Sequence, residues 1–227
     1  MNIKVGQIES SVRKNKQGQS LGRKGLNTRK RLLNAAEALL EKHSPVDLTA
    51  VSIAKAANMS SATFYMYFDD IQDILAALSE VAGQEMDRAL DVLGESWSID
   101  TLEEHASKLV DAFHEVWKNH RQVLRYRNME ADRGDPVFEE IRMNVYVSFV
   151  ELLAQRIIAL CPEEIKLGRA DARSVASVLH GAMERMAATD PEIVERNLGI
   201  ERSKAAQVRV ITDVILASSR NARPLFS

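Results

Sequence analysis

The stretch from Thr49 to Phe68, TAVSIAKAANMSSATFYMYF, decides how the rest of the chain is read. Thr49 is suited to cap a helix, because its hydroxyl can accept a hydrogen bond from an amide that a helix start leaves without an intrahelical partner. Val51, Ile53, Ala54 and Ala57 supply the apolar side of a short helix. Asn58-Met59-Ser60 breaks it, and asparagine tolerates the left-handed backbone that ends helices. Ser60 or Ser61 can cap a second helix in which Phe64 and Phe68, four residues apart, share one face. Ser61, Ala62, Thr63, Tyr65, Met66 and Tyr67 are left to point partly outward. Two short helices about a three- or four-residue turn, the second presenting small polar and aromatic groups, describe a DNA-reading helix-turn-helix.

Before this stretch, Leu32, Ala35, Ala36, Leu39 and Leu40 form the stripe of an amphipathic helix that packs on the next two. Asn27 or Thr28 is its expected cap, and Ser44-Pro45 ends it. Arg29, Lys30 and Arg31 occupy its first turn, the unfavourable end of the helix dipole for cations; nearby phosphates would account for them. After the stretch, Ile71, Ile74 or Leu75, Leu78, Ala82, Met86, Ala89 and Leu93 predict one long helix to about Ser96. Further helices are expected from Asp100 to about His120, from Gln122 to Ala131, from Ala170 to Ala188 and from Glu201 to Ser219. Val137 to Leu160 is apolar on more than one face and reads as a centrally buried helix. Asp190 to Gly199 reads as a Pro/Gly-bounded connector. The fold expected is all-α, with about nine helices and no strands.

At 227 residues, with 45% hydrophobic and 27% charged residues, the chain is large enough for a real core and ordinary for a soluble protein. No apolar run approaches the length that spans a bilayer, and no apolar signal core opens the sequence. The single cysteine, Cys161, excludes an internal disulfide and fits a reducing cytoplasm. The net charge of −2 hides an asymmetry: residues 1–31 carry nine basic side chains against Glu9 alone, a net of +8, which leaves −10 on the remainder. Residues 1–26 thus read as a basic flexible arm that meets a polyanion.

The segment from Thr28 to Leu75 resembles the DNA-binding domain of the TetR family of bacterial transcriptional regulators. The resemblance is carried by Arg29 to Leu40 (RKRLLNAAEALL), Thr49, Ile53-Ala54, Ser60 through Thr63, and Tyr65-Met66-Tyr67-Phe68 followed by Ile74-Leu75. It covers about a fifth of the chain. Two positions depart from the family pattern: Asn58 stands where glycine is usual, and Ile71 where a phosphate-contacting lysine is usual. The resemblance implies a three-helix DNA-reading domain, here residues 27–75, and a larger helical domain, residues 76–227, that binds a ligand and dimerises.

Within the first domain, Ser60, Ser61, Ala62, Thr63 and Met66 are candidates to face the major groove. Thr49, Lys55, Tyr65, Tyr67, Lys24, Arg29 and Arg31 are candidates to meet phosphates. Residues 32–75 carry only Lys42 and Lys55 against Glu37, Glu41, Asp47, Asp69, Asp70 and Asp73. Phosphate neutralisation supplies much of DNA affinity, so the basic arm would compensate for this acid load. Polar or aromatic residues on apolar helices are candidate ligand contacts: His114, Trp117, Tyr126, Arg127, Asn144, Tyr146, Ser148, Phe149 and His180. With the apolar 137–160 segment they suggest a largely hydrophobic small molecule. Apolar residues on two faces of the last two long helices suggest homodimerisation through them.

No catalytic motif is found. His114 and His120 are six apart, about 240° around a helix, and cannot share a zinc ion. No phosphate-binding glycine loop and no nucleophile motif occurs, and neither cofactor nor metal is expected. The sequence therefore reads as a cytoplasmic, homodimeric, ligand-responsive regulator, most simply a repressor on a palindromic operator in double-stranded DNA. The alternative is a DNA-binding architectural or adaptor protein whose C-terminal bundle takes a protein partner instead of a small molecule.

Overall fold

Every regular element among residues 22–162 and 167–220, the residues that the computed structural model describes, is a helix. The chain divides into two compact units. One holds the residues up to Gly83 together with Gln122–Ile141, and the other holds Gln84–Arg121 with Arg142–Ser227.

The first unit is built on α1 (Arg23–Leu40), a 3-10 turn (Pro45–Asp47), α2 (Ala50–Ala56), α3 (Ser61–Tyr65) and most of α4 (Ile71–Glu85). Helix α1 starts ahead of the expected cap. Its first turn closes through the Leu26 amide on the Gly22 carbonyl, 3.0 Å, and Gly22 caps without a side chain. Thr28, an expected cap, donates its hydroxyl to the Lys24 carbonyl inside the helix, 3.1 Å. Residues 23–26 are therefore helix and not arm; residues 1–21 of the expected arm lie outside the described residues. Leu32, Ala36, Ile53, Phe64, Phe68, Ile74 and Leu75 are fully buried together, joined by Val123, Tyr126, Ala131, Phe138 and Ile141 from the second stretch.

Two local devices fix α2 and α3. Thr49 and Ser52 form a reciprocal capping box, each hydroxyl accepting the other's amide at 3.0 Å. At the far end of α2, Asn58 takes φ 55°, the left-handed region. The Asn58 amide then bonds the Lys55 carbonyl (3.0 Å) and the Met59 amide the Ala54 carbonyl (2.8 Å). This double closure is a Schellman motif with asparagine in the place usually held by glycine. Ser60 caps α3 by accepting the Thr63 amide, 3.2 Å.

Helix α4 is interrupted at Met86, so the expected helix to Ser96 is two elements, α4 and α5 (Asp87–Gly94). Helix α6 (Leu102–Asp132) covers both helices expected between residues 100 and 131; the break expected near His120 is a bend at that residue (φ −122°, ψ 21°), not an end. Asp135 caps α7 (Pro136–Ala159) by accepting the Val137 and Phe138 amides. The second unit also holds α8 (Arg169–Ala188), α9 (Pro191–Asn197) and α10 (Ile200–Arg220). Helix α9 occupies the expected connector: the Asp190 carboxylate caps it and Pro191 fills its first position. Helix α7 is not buried all round. Phe149, Val150, Leu153, Ala154 and Ile157 face inward, while Val137, Met143, Val147 and Ile158 are exposed.

The left-handed turn gives a direct expectation. Asn58→Gly should leave stability within about 0.5 kcal/mol of wild type or raise it, whereas Asn58→Val should cost about 1–3 kcal/mol by forcing a β-branched residue into φ 55°. Urea unfolding of the two variants checks this; equal midpoints would show that the turn carries no such constraint.

Candidate nucleic-acid interface

The inner side of α3 is fixed by Phe64 and Phe68, whose rings lie 5.7 Å apart in the core. What remains of α3 and its C-terminal turn faces solvent: Ala62, Tyr65 and Met66 are exposed, Met66 to 65%. Ser61 and Thr63 are half-buried. The Thr63 and Ser60 hydroxyls lie 3.0 Å from each other, so both also serve the helix start. Tyr65 stands edge-on to Phe64 at 5.4 Å, and Tyr67 is half-buried and packs against the core. Thr49 and Lys55 are exposed at opposite ends of α2.

The basic residues of α1 divide into two sorts. Arg23, Lys24 and Lys30 are exposed. Arg29, a candidate phosphate contact in the sequence, is 8% exposed and lies over the Phe68 ring, 5.2 Å from its centroid. Burial lowers its guanidinium from the usual value, and the charges of Glu80 and Asp73 oppose that shift. Such a cation over an aromatic face ties α1 to the residues that hold α3. Arg31 is exposed but donates to the Ala57 carbonyl at 2.6 Å, satisfying a group left over where α2 ends. Sequence spacing alone does not separate these five cations, because which of them turn inward depends on tertiary packing.

Two of the nearby acids also have structural duties. The Asp70 carboxylate accepts the Asp73 amide and the Asp73 carboxylate accepts the Asp69 amide, each at 2.9 Å, at the start of α4. Burial raises the Asp73 carboxyl above the usual carboxylate range; the Asp69 amide bond works against this, while the charges of Asp69 and Asp70 add to it.

The candidate ligand residues do not form one set. Tyr126 and Arg127 are buried in the first unit, Tyr126 edge-on to Phe138 at 5.4 Å. In the second unit Phe149 and Tyr146 stand against the buried His180 ring at 4.9 and 5.2 Å, with Phe113 at 5.7 Å. Trp117 is fully buried. His114 meets the Gln207 amide of α10 at 3.0–3.2 Å; burial lowers its imidazole below the usual value, with Lys204 and Arg121 adding to this and the Gln207 bond opposing it. Ser148 is exposed and donates to the Asn144 carbonyl, 3.0 Å. Tyr146 also lines a groove with Val147, Val150, Ala170, Arg173, Ser174 and Ser177. Apart from Tyr146, none of those groove residues stands out in the sequence; the only trace is the clustering of Arg173, Ser174 and Ser177 at helical spacing. Among the described residues, no group of three or more His, Cys, Asp or Glu side chains is arranged to hold a metal ion. Among the same residues no helix is long and apolar enough to cross a membrane.

Comparison with known proteins agrees with this geometry. Residues 32–78 match the family model described as bacterial regulatory proteins, tetR family. Residues 90–214, more than half of the chain, match the tetracyclin repressor-like C-terminal domain. The chain is 33% identical over 95 residues to the HTH-type transcriptional regulator EthR of Mycobacterium tuberculosis, an alignment that spans 41% of this chain and 44% of that protein. The fold is similar to that of the fatty acid degradation regulator FadR from Bacillus halodurans, with TM-score 0.62 and 18% identity over 87% of this chain and 97% of that one. It is likewise similar to a tetR-family transcriptional regulator from Streptomyces coelicolor, with TM-score 0.63 and 16% identity over 88% and 84% of the two chains. From the capped helix-turn-helix to the helical C-terminal region, the chain belongs to the tetR family of bacterial regulatory proteins.

Proposed function

We propose that this chain is a cytoplasmic transcriptional repressor that binds a palindromic operator as a homodimer and is released by a largely hydrophobic small molecule. The observation that carries the reading is the outward face of α3. Its inner side is locked by Phe64 and Phe68, while Ala62, Tyr65 and Met66 are left exposed at its end. A short helix held this rigidly and bare on one side suits insertion into a major groove. Ser60, Ser61, Ala62, Thr63 and Met66 would meet base edges, and Thr49, Lys55, Tyr65, Tyr67, Lys24 and the basic side chains among residues 1–21 would meet phosphates. No arginine, asparagine or glutamine stands on this face, so specificity would be the sum of several small contacts and of DNA shape.

A two-fold dimer would place its recognition helices about one DNA turn apart, roughly 34–36 Å. Support for an interface comes from α8 and α10, which pack on each other. On α8, Val178 is 72% exposed and Gly181 and Ala182 lie open beside it; on α10, Ala206, Val210 and Ala217 are exposed. Ile211 and Ile215 face the core, so the surplus apolar surface lies on the Val210 side of α10.

Selection of bound sequences from a random DNA pool tests the reading directly. Two-fold symmetric half-sites are expected, and enriched sites without symmetry, or no enrichment, would overturn it. On the selected site Met66→Ala should cost about 1–2 kcal/mol while leaving random-DNA affinity nearly unchanged; equal losses on both DNAs would remove Met66 from base reading. In sedimentation, the Val178→Asp/Val210→Asp variant should run as a helical monomer where wild type is a dimer at micromolar concentration. Ile211→Asp should instead unfold the second unit, since that side chain is 1% exposed. A double variant that remains dimeric would move the interface elsewhere.

A further inference from the structure

The groove in the second unit, of about 460 Å³, has an apolar floor and a cationic rim. Its floor is made by Val147, 39% exposed on the outer side of α7, by the buried Val150, and by Tyr146. Tyr146 is held in place twice, by a 2.6 Å hydrogen bond between its hydroxyl and that of Ser177 and by edge-on packing against His180. Two of the three polar residues of the rim are already engaged. Ser177 is bound to Tyr146, and Ser174 donates to the Ala170 carbonyl at 3.0 Å. Arg173 is different. Its Nε lies 3.7 Å from the Glu151 carboxylate, beyond hydrogen-bond distance, and the other oxygen of that carboxylate already takes Arg169 at 2.7 Å. Two guanidinium groups thus share one carboxylate, and the Arg173 fork makes no hydrogen bond to it at the edge of an apolar trough. Asp171, the other acid of this part of α8, has its carboxylate beside Gly168.

We propose that this groove binds an amphipathic organic carboxylate, its apolar body on Tyr146, Val147 and Val150 and its carboxylate on Arg173. A planar guanidinium fork matches a carboxylate with two parallel bonds, and one such fork beside acidic neighbours suits a monoanion better than a phosphate dianion. The volume lies within the range of small-molecule sites. This deepens the repressor reading by naming the chemistry of its effector; it depends on that reading for the consequence on DNA and not for the binding itself.

The test uses the full chain, with decanoate and its neutral analogue decan-1-ol as probes in titration calorimetry. Wild type should bind decanoate about tenfold or more tightly than decan-1-ol, the scale of one charge-assisted contact at a partly exposed site. Arg173→Gln should erase the preference, Arg173→Lys should restore part of it, and Arg185→Gln, on the last turn of α8, should leave it intact. Equal decanoate affinity in wild type and Arg173→Gln would overturn the proposal, as would equal affinity for both probes or binding of neither. Fluorescence anisotropy on the selected DNA separates the two readings. Decanoate that binds through Arg173 without changing DNA affinity would keep the site and remove its effector role. DNA release by decanoate that Arg173→Gln does not alter would keep the repressor reading and sink the site.

Discussion

The left-handed backbone at Asn58 is the constraint on which the DNA-facing unit depends. Once φ is 55° there, the Asn58 and Met59 amides fall back onto the last turn of α2 and the chain must leave in a new direction. That direction sets where Ser60 caps α3, and so which residues of a five-residue helix go inward. Phe64 and Phe68 take the core, and Ala62, Tyr65 and Met66 are delivered to solvent. Helix α1 braces the arrangement from behind. Arg31 reaches the Ala57 carbonyl at the turn, and Arg29 lies on Phe68. Two of the basic residues of α1 are therefore structural parts of the helix-turn-helix unit, tying α1 to the turn and to the core beside α3.

Charge is distributed to suit the same end. Asp69, Asp70 and Asp73 would be a liability beside phosphates, yet the last two spend their carboxylates on backbone amides at the start of α4. The exposed cations of this unit include Arg23, Lys24, Lys30, Lys42 and Lys55, with those of residues 1–21 in sequence before them. Affinity that rests on such residues falls steeply with salt, while selectivity that rests on the uncharged face of α3 would depend little on it.

What was legible in the sequence follows the range of the interactions. Thr49 as a cap, Asn58 as the turn and Phe64 with Phe68 as the buried pair are all decided within a few residues and are found as read, and of Ser60 and Ser61 it is Ser60 that caps α3. The start of α1 was missed because Gly22 offers no side-chain cap, while Thr28, which looks like one, bonds back into the helix. The burial of Arg29 was missed because it depends on Phe68, thirty-nine positions away. Helix α7 misled in another way. A segment apolar on more than one face gives no single face to choose, and only packing shows that Val147 is left outside to floor a groove. The same ambiguity hid which face of α10 is surplus, since Ile211 and Val210 are equally apolar neighbours with opposite fates.

The account stands or falls on whether the surface held in place by Asn58 is the one that meets DNA. Amide hydrogen exchange of the full chain, alone and with its selected DNA, measures this without any substitution. The account predicts slowed exchange concentrated between Ser60 and Phe68 and at the start of α2, present with the selected DNA and weaker with unrelated DNA at the same salt. Protection confined to other helices, with residues 60–68 exchanging as in the free protein, would contradict it.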